Sequence, residues 1–92
     1  MLTLYSIAAS GTFEHDFKKL DKSIQKQVDK KIRWAAAHPE SLQQPLRHMP
    51  KALAGLQKLR TGDYRILLWV NHMDRSLTLY AVGHRSVIYQ NL

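Results

Sequence analysis

Apolar and polar residues alternate near both ends of this chain, and a helical period fills the stretch between. Within residues 2–9, "LTLYSIAA", Leu2, Leu4, Ser6 and Ala8 share one face and Thr3, Tyr5, Ile7 and Ala9 the other, which predicts a first strand. "SGT" interrupts it, and Thr12 is placed to cap a short helix through "FEHDFKKL", where Phe13, Phe17 and Leu20 form one apolar face. Asp21 opens a longer helix. Ile24, Val28, Ile32 and Ala35 make its buried stripe, while Lys22, Gln25, Lys26, Asp29, Lys30 and Arg33 face solvent. It ends near His38, because a residue preceding proline is steered out of the helical region. "HPESLQQPLRHMP" holds all 3 prolines and reads as a loop.

The remainder alternates with period two. Strands are predicted over 54–60, 64–71 and 77–82, joined by turns at "TGDY" and "HMDR" and followed by the tail "GHRSVIYQNL". The order β-α-α-β-β-β predicts an α+β fold, an antiparallel sheet with a two-helix hairpin packed on one face, and a single domain spanning residues 1–92.

Pairing the strands sets a register. A loop at 61–64 places Arg60 opposite Arg65, Lys58 opposite Leu67 and Leu56 opposite Trp69, all on one face. Leu59, Ile66, Leu68 and Val70 then form the helix-facing side. Continued into the last strand, this side gains Leu77, Leu79 and Ala81, set opposite Val70, Leu68 and Ile66. Thr78, Tyr80 and Val82 join the other side, with His84 and Arg85 just beyond the strand end. The expectation is a core on one face and an open basic-aromatic surface on the other. A slip of one residue would bury the cations instead.

Charge sharpens the picture. Fourteen Lys and Arg against seven Asp and Glu give +7, an excess that favours a polyanionic partner: RNA, DNA or an acidic protein. Asp63 and Asp74 are the only acids after Glu40, so the arginines of the open face have few partners in sequence. A hydrophobic fraction of 45% is ordinary for a globular chain. No apolar run approaches the ~18 residues of a membrane span, and "MLTLYSIAAS" is too short and uncharged for a secretory signal, so a cytoplasmic location is expected. With 0 cysteines the described chemistry includes neither disulfides nor thiolate nucleophiles. The carboxylates are dispersed and His15, His38, His48, His72 and His84 lack paired metal-ligand spacing, so neither a metal nor a cofactor is expected. Lys, Arg, His and Tyr suffice for metal-free cleavage of RNA, where the substrate's own 2′-hydroxyl attacks and the protein supplies positioning, proton transfer and cationic stabilisation. A lysine serves as base where neighbouring cations favour its neutral form, the setting Lys58 shares with Arg60 and Arg65.

Three fragments in order, "FEHDFKKLDKSIQKQVDKKI", "GLQKLRTGDYRILLWV" and "LYAVGHRSVIY", resemble the RelE/ParE superfamily of toxins, and its RelE-type branch most closely. The resemblance implies the toxin of a type II toxin-antitoxin system: a metal-independent endoribonuclease that cuts mRNA on the ribosome and is silenced by a cognate antitoxin bearing an acidic segment. By position, Lys58 matches a lysine with base or positioning duties, Arg65 a phosphate-stabilising arginine, and Arg85 the arginine that contacts the scissile phosphate. Tyr89 matches a tyrosine that stacks on or orients substrate, and His84 is a base or acid candidate. Arg60, Trp69 and Tyr80 are RNA-binding candidates on the same surface. Leu56 stands where one branch has a second lysine, and Arg85 and Tyr89 lie closer together than in some members. The alternative is a ParE-like toxin that inhibits DNA gyrase by binding, without catalysis.

Overall fold

The computed structural model describes residues 4–90 and 92. Strands β1 (Ser6–Ala9), β2 (Gln57–Thr61), β3 (Tyr64–Asn71) and β4 (Ser76–His84) form one sheet in the order β1-β4-β3-β2, with helices α1 (Gly11–Lys18) and α2 (Lys22–Ala37) between β1 and β2. The expected α+β order is present. The sheet is antiparallel over β2–β4, but β1 runs parallel to β4, pairing Ser6 with Ser76 and Ala9 with Leu79, so the sheet is mixed. Parallel neighbours need a long crossover, and everything from α1 to β3 provides it. Leu2 and Thr3, expected in β1, lie outside the described residues.

Local chemistry places the helix ends. Ser10, not Thr12, caps α1: its Oγ accepts from the Phe13 N–H at 3.1 Å and donates to the Tyr80 carbonyl at 2.9 Å. One hydroxyl thus starts the helix and ties it to β4. Asp21 occupies the N-cap of α2 and His38 its C-cap, before Pro39 as expected. Phe13, Val28, Ile32 and Ala35 pack with Leu59, Ile66, Leu68, Leu77 and Leu79 into the main core between helices and sheet.

The opposite face is where expectation and structure part. The β2–β3 register is as predicted, with Arg60 opposite Arg65 and Lys58 opposite Leu67. On the β3–β4 side the first pairs also hold, Val70 with Leu77 and Leu68 with Leu79, but a bulge follows and Leu67 pairs with Ala81. Tyr80 is the extra residue. Every later β4 side chain is therefore reversed relative to the predicted alternation. Val82, opposite Ile66, enters the main core, and Ala81 moves to the other face. His84 is the last residue of β4, paired with Tyr64, and by alternation with Val82 it lies on the helix side.

That second face is covered as well. Leu56, Leu67 and Ala81 form a second buried cluster, overlaid by Leu46, Met49 and Leu53 from the long loop and by Ile88 and Leu92 from the tail. The run Ile66, Leu67, Leu68 in the central strand is fully buried because it feeds both cores. Such an unbroken apolar run is the sequence sign of a strand covered on both sides. Gln57 pins the loop, accepting from the Gln44 N–H at 3.2 Å and donating to the Leu42 carbonyl at 3.1 Å. Gly83 leaves room for the tail: a Cβ there would lie 3.2 Å from Ile88 Cδ1.

If the second cluster is a genuine core, Leu67→Ala will cost about 2–5 kcal/mol in urea unfolding, comparable to Leu68→Ala on the other face. A cost below about 1 kcal/mol for Leu67→Ala would mean that the loop and tail do not seal this face.

Candidate nucleic-acid interface

The cations survive this burial by lying at one end of the sheet. Lys58 and Arg60 alternate with buried Gln57 and Leu59 on the edge strand β2 and are exposed. Arg65, beside Arg60 on the central strand, is only 6% exposed, which changes its role. Its Nη1 donates to the carbonyls of Gly62 at 3.0 Å and Tyr64 at 2.9 Å. The carbonyl dipoles hold the guanidinium and offset repulsion from Arg60. No buried side-chain nitrogen lacks a partner among the described residues, so the remaining Arg65 donors reach the surface.

Arg85 converges on the same two-residue turn from the other strand. Its N–H donates to the Asp63 carbonyl at 2.8 Å, and its Nε lies 3.7 Å from Asp63 Oδ1. The arginine thus has an acidic neighbour that the sequence reading had not paired with it. Both side chains are mostly exposed, at 63% and 70%, so this pair is weak and easily exchanged for a stronger anion. Arg65 and Arg85 therefore meet at Gly62–Tyr64, one locked by backbone and one free to swing. Gly62 is in the left-handed region at φ +58°, which the tight turn requires.

Other candidates are distributed differently. Trp69 and Tyr80 do not line an open face. They are half-buried around the second cluster, rings edge to face with centroids 5.2 Å apart, and the Trp69 indole N–H donates to the Ala54 carbonyl at 3.0 Å. Tyr89 is 40% exposed on the tail. His84 packs edge-on against Tyr64, centroids 5.4 Å apart, across the sheet from Lys58. Its Nδ1 lies 3.1 Å from the Ser86 backbone nitrogen and 2.8 Å from Ser86 Oγ. A backbone N–H can only donate, so Nδ1 is an acceptor and the neutral ring carries its proton on Nε2. His84 thus offers an Nε2–H donor, while its Nδ1 lone pair is engaged by Ser86.

Sequence reasoning passed over Arg47. The loop turns at His48, φ 60°, and Arg47 and Lys58 line a cleft of about 560 Å³ with Gln43, Gln44 and Pro45. Its signal, a lone arginine within a proline-punctuated loop, has no period to expose it. No group of three or more His, Asp or Glu residues is placed to hold a metal ion among the described residues. Together the side chains can grip a polyanion along Arg47, Lys58, Arg60, Arg65 and Arg85.

The sequence profile of the ParE toxin of the type II toxin-antitoxin system, parDE, matches residues 7–89. A search of curated proteins gave no significant match. Among solved structures, the toxin-antitoxin complex RelBE2 from Mycobacterium tuberculosis has a chain 25% identical with a TM-score of 0.78, the match covering 94% of this chain and 97% of that one. The isolated E. coli RelE toxin is 22% identical with a TM-score of 0.70, over 95% of this chain and 93% of that one. An archaeal RelE-RelB complex from Pyrococcus horikoshii OT3 has a chain 17% identical with a TM-score of 0.65, over 92% and 99%.

The two arginines should separate in stability. Arg65→Ala removes a buried guanidinium and its bonds to the turn carbonyls, and will lower unfolding free energy by about 1–3 kcal/mol. Arg85→Ala, losing an exposed pair, will change it by less than about 1 kcal/mol. Equal effects in denaturant titrations would contradict the buried placement of Arg65.

Proposed function

The chain belongs to the ParE toxin family of type II toxin-antitoxin systems, within the RelE/ParE superfamily, and from that premise we propose that it is an endoribonuclease that cuts mRNA on the ribosome. The observation that carries this reading is the convergence of Arg65 and Arg85 on one turn beside Lys58 and Arg60. A phosphodiester held between the two guanidiniums gains charge as the 2′-hydroxyl attacks, and preset donors stabilise that charge without reorganising. Arg65 is preset by its carbonyl bonds; Arg85 exchanges Asp63 for the phosphate. Lys58 is the base candidate on this face. His84 supplies an Nε2–H hydrogen bond from the sheet end, and Tyr89 orients a flanking base. Trp69 and Tyr80 serve the site by holding the loop that carries Arg47.

A cognate antitoxin is part of the proposal. The M. tuberculosis chain was solved in a toxin-antitoxin complex and the P. horikoshii chain in a RelE-RelB complex, and a net charge of +7 suits an acidic, amphipathic segment. Action on the ribosome places the toxin in the cytoplasm.

A second reading has its own support. The matching profile is that of ParE, and His84 and Lys58 lie on opposite sides of the sheet, so a complete acid-base pair is not assembled on one face. This favours a toxin that binds DNA gyrase without catalysis.

Primer extension on translated mRNA in cells expressing the chain separates the two. Cuts within codons that vanish in Arg85→Ala, and fall about 10²-fold or more in Lys58→Ala, are expected. Intact mRNA accompanied by DNA damage would assign the gyrase reading instead. Cleavage of naked RNA will be weak, since one lysine is the sole base candidate among the described residues of that face; rapid ribosome-free digestion would contradict this.

A further inference from the structure

The solvent face of α2 carries a stripe that the proposed site does not use: Gln27, Lys31, Trp34 and His38, at i, i+4, i+7 and i+11, with Lys30 beside it. Trp34 is 42% exposed, unusual for an indole with a core within reach. Lys31 Nζ sits 4.1 Å from its ring centroid, and the His38 ring stacks on it at 4.7 Å with an interplanar angle of 18°. As i−3 and i+4 neighbours, Lys31 and His38 approach the indole from opposite ends of the helix. His38 Nδ1 lies 2.9 Å from the Trp34 carbonyl, an obligate acceptor, so Nδ1 carries the proton and the ring is locked in place. Beside the stripe, Gln27, Lys30, Lys31, Trp34 and Thr61 enclose a cleft of about 340 Å³ between α2 and the β2–β3 hairpin.

We propose that this cleft and stripe form a second RNA-docking surface, and that its occupant is ribosomal RNA. The inference rests on the ribosomal reading above. Its charge fits: α2 carries Lys22, Lys26, Lys30, Lys31 and Arg33 against the single carboxylate of Asp29, which Arg33 neutralises at 2.8 Å. Four lysines are left facing outward, each able to displace a counterion at a phosphate. Its chemistry fits a nucleotide better than an acidic peptide. Lys30 and Lys31 take a phosphate while the indole takes a base, and Lys31 frees one ring face when it turns to the phosphate. Position selects the source. The sheet lies between α2 and Lys58, so a substrate strand running along Lys58 and Arg65 occupies the other side. The two sides meet at the β2–β3 hairpin, where Thr61 borders the cleft and Arg60 the substrate side, so an RNA that reaches both must present a second segment beyond the cleaved strand, as the folded RNA of the ribosome does.

Binding of the full-length protein to purified ribosomes across a salt series tests this. Lys30→Glu combined with Lys31→Glu will weaken binding about 10²-fold or more and flatten the slope of log K against log salt by about 1.5, the value for two phosphate contacts. Trp34→Ala will weaken binding about tenfold, and Trp34→Phe will restore most of it. Circular dichroism verifies that each variant is folded; these residues lie outside both cores, so folding will persist. Folded variants that bind ribosomes like the wild type overturn the proposal, as does loss of antitoxin binding with ribosome binding unchanged, which would assign the stripe to a protein partner. If the wild type does not bind ribosomes at all, the ribosomal reading itself fails and this inference falls with it.

Discussion

One unpaired residue governs the layout of this protein. Tyr80 has no partner on β3, and the bulge it makes sends Ala81 and Gly83 to one face and Val82 and His84 to the other. Without it, Val82 would sit on the face of the second cluster, Ala81 would leave a gap in the main core, and a side chain at position 84 would share the face of Lys58. With it, Gly83 lies next to Arg65, and the space above that glycine is filled by Ile88 of the tail. β1 ends opposite Leu79, which leaves edge groups of β4 unpaired beside the bulge, and α1 with its cap supplies their partners. Ser10 Oγ donates to the Tyr80 carbonyl and Asp16 Oδ2 accepts from the Val82 N–H at 3.3 Å. An irregularity in one strand is thereby stitched to the helix that covers it.

Because both faces of the sheet are buried, the cations are not spread over a platform. They are confined to the hairpin end and the β2 edge, beside the loop that carries Arg47. Confinement has a chemical consequence. Arg65 is held by main-chain carbonyls and cannot follow a ligand, whereas Arg85 is tethered by a single exposed carboxylate and can. A rigid and a mobile guanidinium meeting at one turn suit a group whose charge grows during reaction. The same turn abuts α2 through Thr61 and the Gln27 side chain, so the two basic surfaces are neighbours around one hairpin.

Much of the site was legible from residue type and alternation. Lys58, Arg60 and Arg65 share a face because their positions differ by even steps across a short turn whose register is set by its length. Arg85 beyond the strand was equally plain. What misled was the assumption that strand alternation continues through "LTLYAV": three consecutive apolar residues after Leu79 fit either phase, and only the competition of Ala81 and Val82 for space in two cores chooses between them. Arg47 and the aromatic stripe on α2 escaped for another reason. A loop has no period, and a tryptophan at helical spacing reads as core until neighbouring elements show that nothing covers it.

The amino-acid sequence alone determined the order of elements, the main core, the β2–β3 register and the excess of positive charge. Each of these follows from local steric preference or from a period that repeats over several residues. Tertiary structure decided the parallel placement of β1, the bulge at Tyr80, the covering of the second face and hence which cations stay accessible. Those outcomes depend on packing between segments distant in the chain, where the volumes of a few side chains, such as Ile88 over Gly83, outweigh any local preference.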